Sequence, residues 1–358
     1  MANELCVFLP GLMGSNLFRK RGGVSPDLKV WLAIPLLAQK GLSQLALTAA
    51  GDEEADPVYR GLMSAKGSLK DYYGILEDTL RRDWELVTWG YDWRKDTRSA
   101  AAALVQFLLT KHPGRNVWIV GHSLGGLVAR LTYVGMVNAG SGGLVKRVLT
   151  LGTPSWGSYS SVWGLSRLSS TYHQLTIFLQ FARQATSTPL APSAITKRFD
   201  KDLDKVFTTW VSIYQLLPSR LGPGAGQDPG RQRVHQLATW QTLQPTISAA
   251  HLAATNQWEA EIATARPPAA LSAQVIGYGI DTPERMVGEA VEVRDSYTMG
   301  AGDGTVAEQL GRLPEVPTYR LPAEHSAITR HPKLLQDLAS LLRDGLGQDR
   351  TIQGEVLR

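Results

Sequence analysis

Val117-Trp118-Ile119-Val120, then Gly121-His122-Ser123-Leu124-Gly125-Gly126, then Leu127-Val128-Ala129-Arg130-Leu131 is the stretch whose reading decides the fold. The first four residues are apolar and rich in β-branched types, the composition of a short buried strand. The last five suit a helix. Between them stands Gly-x-Ser-x-Gly. Alone, that pattern would be an ordinary glycine-rich turn; with a strand before it and a helix after it, it reads as a nucleophile elbow. The reason is steric: a serine on so sharp a bend needs neighbours at Gly121 and Gly125 that lack side chains, so that strand and helix can approach closely. Ser123 is then held at a helix N-terminus, where backbone N–H groups can receive a developing negative charge.

Working outward, Glu4 to Leu9 reads as an opening strand that runs into the loop Pro10-Gly11-Leu12-Met13-Gly14-Ser15. Leu69 to Arg82 reads as a helix with Tyr72, Tyr73, Leu76 and Leu80 on one side, and Trp84 to Gly90 as the next strand. Asp96 or Thr97 can cap a helix reaching about His112, before the break at Pro113-Gly114. Leu144 to Leu151 is another strand. Strand alternating with helix predicts an α/β fold with a mostly parallel central sheet.

Val30 to Ala50 is leucine-rich, with the spacing of a short amphipathic helix that either joins the core or touches lipid, the core being favoured. From Ser155 to about Ala269 strand signals give way to helical stretches carrying Trp163, Tyr172, Phe178, Phe181, Phe199, Phe207, Trp210 and Tyr214, read as an inserted, mainly helical cap. Gln274 to Tyr278 resumes the sheet. Glu289 to Arg294 suggests a short antiparallel or edge strand, and Thr318 to Leu321 a last strand. Pro332 opens a final amphipathic helix, with Gly345 as its stop. The expected organisation is a catalytic domain over 1–154 and 270–358, a cap over 155–269, and a candidate small lipid-facing insertion over 24–68.

The chain has 358 residues, 43% hydrophobic and 19% charged, the balance of a globular protein rather than a disordered one. Its apolar runs are too short to span a bilayer. The first residues lack the basic region of a signal peptide. Cys6 is the one cysteine, so no internal disulfide can form, which fits a reducing compartment. Together these predict a cytoplasmic protein capable of peripheral membrane contact. A cysteine-built metal site is excluded, the seven histidines lack paired ligand spacing, and neither metal nor other cofactor is expected. The formal charge of +5 would favour an anionic lipid surface modestly, or be a solvated surface only. No basic-aromatic cluster suggests nucleic acid, and oligomeric state is not legible.

A serine hydroxyl needs a base within hydrogen-bonding reach, and the base needs a third group to orient it. When a nucleophile elbow provides the serine, acid and histidine follow in that order on late loops. His325 and His331 lie late enough; His331 precedes Pro332 at a helix start, where capping explains it, so His325 is the expected base. Asp303 and Asp281 compete as the acid. Asp303, between Gly302 and Gly304, can be aimed by a tight backbone, whereas Asp281 ahead of Thr282-Pro283 reads as a turn residue. The oxyanion would be held by the backbone N–H of Leu124, which follows the nucleophile, and by that of Leu12, with Met13 second.

These pieces resemble the lecithin:cholesterol acyltransferase family, which includes phospholipid:diacylglycerol acyltransferases and a lysosomal phospholipase. Pro10 to Ser15 is similar to its oxyanion loop, Trp31-Leu32 and the leucines after it to its membrane-touching segment, and Tyr91-Asp92-Trp93-Arg94 to a family signature. Gly121 to Gly126, Gly152 to Ser158, Tyr214 to Ser219, Gly302 to Val306 and His325 follow in the family's order. The resemblance implies an α/β-hydrolase fold with an inserted cap. It also implies a serine-dependent lipid acyl-ester hydrolase or O-acyltransferase, passing the acyl group from a lipid ester to water or an alcohol through an acyl-serine. Animal members carry disulfides, which this chain cannot form within itself. The alternative is a non-catalytic lipid-binding protein on the same fold.

Overall fold

β1 (Leu5–Leu9), Leu-Cys-Val-Phe-Leu, is buried along its whole length. Such a strand has no polar face because it lies inside a parallel sheet covered on both sides. The computed structural model describes residues 4–21, 25–31, 42–166 and 206–344, with the backbone of 355–357. In it β1 pairs in parallel with β5 (Glu85–Thr88) on one side and β6 (Val117–His122) on the other. Beyond β6 follow β7 (Val145–Leu151), β8 (Ser272–Gly277) and β11 (Thr318–Leu321), all parallel. A short antiparallel strand, β12 (Glu355–Leu357), completes the seven-stranded order β12-β11-β8-β7-β6-β1-β5.

Helices flank this sheet. α1 (Lys70–Leu80) sets Tyr73 edge-on to Phe8 of β1, ring centroids 5.0 Å apart. α2 (Thr97–Lys111) begins where the Asp96 carboxylate accepts from Arg98 N at 2.9 Å, as its N-cap position predicts. It packs against α3 (Leu124–Asn138), which follows the elbow. α4 (Tyr159–Leu165) and α5 (Ala249–Thr264) lie between β7 and β8. The last helix, α6 (Pro332–Arg343), is tied to the sheet by Trp118 of β6, whose Nε1 donates to Leu342 O at 3.1 Å. Among the described residues no helix is long and apolar enough to cross a membrane.

Three expectations need correction. The helix expected over Val30–Ala50 is absent from its described ends. Val30 and Trp31 belong to β3 (Leu28–Trp31), and Ser43–Leu45 make a single 3-10 turn. The Leu45 carbonyl is taken by Arg94 Nη1 and Trp210 Nε1, at 3.2 and 2.9 Å, rather than by an amide one turn on. β3 joins β2 (Asn16–Arg19) and β4 (Met63–Lys66) in a small antiparallel sheet that the periodicity did not suggest. Glu289–Arg294 is not an edge strand but the connection inside a hairpin of β9 (Ile280–Met286) and β10 (Tyr297–Gly302). Asp281 is accordingly not in a turn but in β9, opposite Ala301. Pro283 sits within that strand because a two-stranded sheet has only edges, where a missing N–H is tolerated. Leu32, Leu36 and Leu37 of the lipid-facing reading, Tyr172, Phe178, Phe181 and Phe199 of the cap reading, and Gly345 lie outside the described residues.

Candidate active site

β6 ends at His122, and α3 starts at Leu124, so Ser123 alone makes the bend. Its φ of 53° and ψ of −124° lie in a region that side chains other than glycine rarely adopt. The bend persists because its surroundings determine it on both sides. Ser123 N donates to Leu151 O of β7 at 2.8 Å, and Ser123 O accepts from Gly126 N at 3.0 Å. A Cβ on Gly121 would lie 2.4 Å from Gly125 O, and one on Gly125 2.3 Å from Leu9 O. Any other residue at either site would push α3 away from the sheet, so the strain at Ser123 is held by absent side chains at its neighbours.

Asp303 and His325 arrive from the loops after β10 and β11. His325 N donates to Asp303 O at 2.8 Å, so the two loops are joined by backbone as well as side chain. His325 Nδ1 lies 2.7 Å from Asp303 Oδ2, and His325 Nε2 2.9 Å from Ser123 Oγ. Asp303 Oδ1 accepts from Thr305 N and Val306 N at 2.9 and 2.7 Å. A carboxylate only accepts, so Nδ1 carries the imidazole hydrogen and Nε2 presents its lone pair to the serine hydroxyl. All three side chains are buried. Of the competing candidates, Asp281 is exposed at the cavity rim. His331 occupies the N-cap position of α6 without a side-chain capping bond.

Above Ser123 lies a cavity of about 340 Å³. Leu12, Met13, Phe207, Ile213 and Leu216 form its apolar wall, and Ser158, Ser160 and Thr305 its polar one. Leu12 and Met13 belong to the loop after β1, which three side chains pin. Tyr91 Oη donates to Pro10 O at 2.7 Å, Trp31 Nε1 to Met13 O at 2.6 Å, and Gly11 N to Tyr73 Oη at 3.0 Å. The backbone N–H groups of Leu12 and Leu124 find no acceptor among the described residues. Gly11 sits so close to the elbow that a Cβ there would lie 2.9 Å from Ser123 Cβ.

Residues 65–176 match the family model of class 3 lipases.

The lipase match covers fewer than half of the residues but contains β6, the Ser123 bend and α3. In the solved structures, the chain is similar to one in the Tle4–Tli4 complex, with a TM-score of 0.56 and 14% identity over 96% of this chain and 98% of that one. It also aligns with the mature lipase BlEst2 of Bacillus licheniformis (TM-score 0.43, 14% identity, 95% and 92% covered). A third alignment is to the NocB thioesterase domain in covalent complex with a fluorophosphonate nocardicin G analogue (0.38, 12%, 97% and 96%). No curated protein matches the chain. The parallel sheet flanked by helices, with the elbow after β6 inside the lipase match, is the α/β-hydrolase fold.

Two residues at the site escaped the sequence reading. Helical spacing places Tyr73 on one side of α1, and the glycine motif gives His122 no role of its own. Yet Tyr73 Oη lies 3.0 Å from His122 Nδ1, and His122 Nε2 lies 3.2 Å from His325 O. The only signal was a polar ring beside the serine, which helical or strand periodicity does not interpret.

Burial pushes the His122 imidazole well below its ordinary value, with His325 adding to the shift; burial likewise lowers His235 and His251. These rings bind protons less readily in the fold than in the unfolded chain, where they take them up near pH 6.5. A folded state that binds fewer protons loses stability as pH falls. The expected result is a melting temperature that is level above about pH 7 and declines from about pH 6.5 downward. Carboxylates that pair with cations act in a more acidic window: burial alone would raise Asp92, but Arg94 holds it below the usual range. Thermal melts across pH 5 to 8 test this, and a flat melting temperature through that interval would contradict it.

Proposed function

We propose that this chain is a serine-dependent acyl-ester hydrolase acting on lipid-like esters. The observation that carries this reading is the hydrogen-bonded line Ser123–His325–Asp303 at the floor of a cavity with an apolar wall. In the proposed reaction Ser123 Oγ attacks the ester carbonyl while His325 Nε2 takes its proton. Asp303 fixes the imidazole tautomer and stabilises the imidazolium. The oxyanion is received by the N–H groups of Leu12 and Leu124. The leaving alcohol takes the proton from His325; the acceptor oxygen then bonds to the acyl carbon as His325 takes its proton, the bond to Ser123 Oγ breaks, and that proton returns to Oγ.

The acceptor is water or an alcohol. The abundance of water favours hydrolysis, while the likeness to lecithin:cholesterol acyltransferases supports transfer, with a phospholipid among the candidate donors. Residues 155–269 are read as a cap because Ser158, Ser160, Phe207, Ile213 and Leu216 from that segment line the cavity above Ser123. Lipid contact by the 24–68 insertion would not use Trp31, Leu42, Leu45 or Leu47, which are buried core.

A cavity of about 340 Å³ with an apolar wall of Leu12, Met13, Phe207, Ile213 and Leu216 gives an acyl chain room beside Ser123. With soluble p-nitrophenyl esters, kcat/KM is expected to climb from acetate to longer acyl esters as methylenes are buried against that wall; a maximum at acetate would contradict it. The function itself is tested by a fluorophosphonate probe together with product analysis. Labelling of Ser123 and release of fatty acid from an ester are expected, and new ester appearing when a long-chain alcohol is added would identify transfer. Lipid binding without labelling or turnover would favour the non-catalytic reading.

A further inference from the structure

We propose that Tyr73 and His122 are positioning residues that hold the oxyanion-side loop and the base-bearing loop in register around Ser123 through one buried hydrogen-bond chain. The inference rests on the hydrolase reading and adds to it residues that act through Gly11 and His325 rather than on the reacting atoms.

The chain has one consistent proton arrangement. His122 Nε2 faces the His325 carbonyl oxygen at 3.2 Å, and a carbonyl can only accept, so Nε2 carries hydrogen. In a neutral ring Nδ1 then accepts, and the group 3.0 Å from it is the Tyr73 hydroxyl, which must donate. The Tyr73 oxygen is left to accept, and Gly11 N–H supplies its hydrogen at 3.0 Å. Reversing any member would leave two donors or two acceptors facing each other in a site where water cannot compensate.

The ring does stay neutral. His122 and Tyr73 are buried, and the ring neighbours of His122 are Tyr72 and Tyr73 from α1 and His325 from the loop after β11. The His122 and His325 ring centroids are 5.0 Å apart, so a charged His122 would oppose the imidazolium that must form on His325. Packing alone does not require these polar groups, since an apolar pair would fill the space without three matched hydrogen bonds. What separates this chain from a core contact is where it ends: Gly11, next to the Leu12 N–H, and the backbone of His325 itself.

The test uses Tyr73→Phe, His122→Leu and His122→Gln, with active sites counted by fluorophosphonate so that misfolded molecules are not scored. Displacing reacting groups by a fraction of an ångström costs about tenfold to a hundredfold in rate. Tyr73→Phe and His122→Leu should therefore each lower kcat per labelled site by about that factor, with KM for a short ester within about threefold. His122→Gln, whose amide can still donate towards His325 O, should recover part of the loss. Because both residues belong to one chain, the double variant should be little worse than the poorer single one. Unchanged kcat per labelled site in Tyr73→Phe, or losses that multiply in the double variant, would overturn the proposal. If His122→Leu does not fold, Tyr73→Phe and His122→Gln complete the cycle. A wild type that neither labels nor turns over would defeat the hydrolase reading and this proposal with it; an active wild type with unaffected variants defeats this proposal alone.

Discussion

Ser123→Ala is expected to lower kcat on a soluble acyl ester by roughly 10⁴-fold or more, with little change in melting temperature. The substitution removes one atom, the Oγ that lies 2.9 Å from His325 Nε2. The backbone bonds that hold the bend, Ser123 N to Leu151 O and Gly126 N to Ser123 O, do not involve the side chain. Alanine at a φ of 53° carries the same Cβ strain that serine already carries, so the fold is not asked to accommodate anything new. What survives is the activity that the oxyanion donors and cavity supply to a water attack. The assay is turnover of a chromogenic ester beside a thermal melt. A variant within tenfold of wild type would remove Ser123 from the chemistry.

Asp303→Asn should cost nearly as much, about 10⁴-fold in kcat, although it is isosteric. The reason lies in what surrounds the carboxylate. Oδ1 accepts from two backbone N–H groups, those of Thr305 and Val306, while Oδ2 faces His325 Nδ1. An asparagine has one oxygen, and the two backbone donors claim it. Its amide nitrogen then points at His325 Nδ1 and donates, which obliges Nδ1 to accept and moves the imidazole hydrogen to Nε2. Nε2 would then donate to Ser123 Oγ instead of accepting from it, and no lone pair would remain to take the serine proton. The fluorophosphonate labelling rate should fall in parallel with kcat, since both need the same proton transfer. Full labelling speed in Asp303→Asn would show that the tautomer of His325 does not depend on this residue.

The fold was most legible where local sterics and periodicity act alone. Strand, Gly-x-Ser-x-Gly and helix can be joined in few ways, because the clash of a Cβ at Gly121 or Gly125 arises within the same dozen residues and with the adjacent β1. The Asp96 cap, the buried runs of β1, β6 and β7, and the proline start of α6 rest on equally short-range causes. The chain-order rule then named three residues that fold to hydrogen-bonding distance, with Ser123 and His325 separated by 202 positions. Legibility failed where the partner of a polar group is remote. The β9–β10 hairpin contains Pro283 and looked like a turn. Leu45 looked helical until its carbonyl met Arg94 and Trp210.

By itself, then, the order of residues determined an alternating α/β chain with a serine raised on a strained bend, since backbone sterics and hydrophobic period need no distant information. Only the tertiary structure decided that Tyr73 and His122 join the loop at Gly11 to the backbone of His325. A hydrogen bond is directional and a few ångströms long. Which donors and acceptors satisfy it depends on how separate loops converge at the ends of the strands, and no local pattern along the chain encodes that convergence.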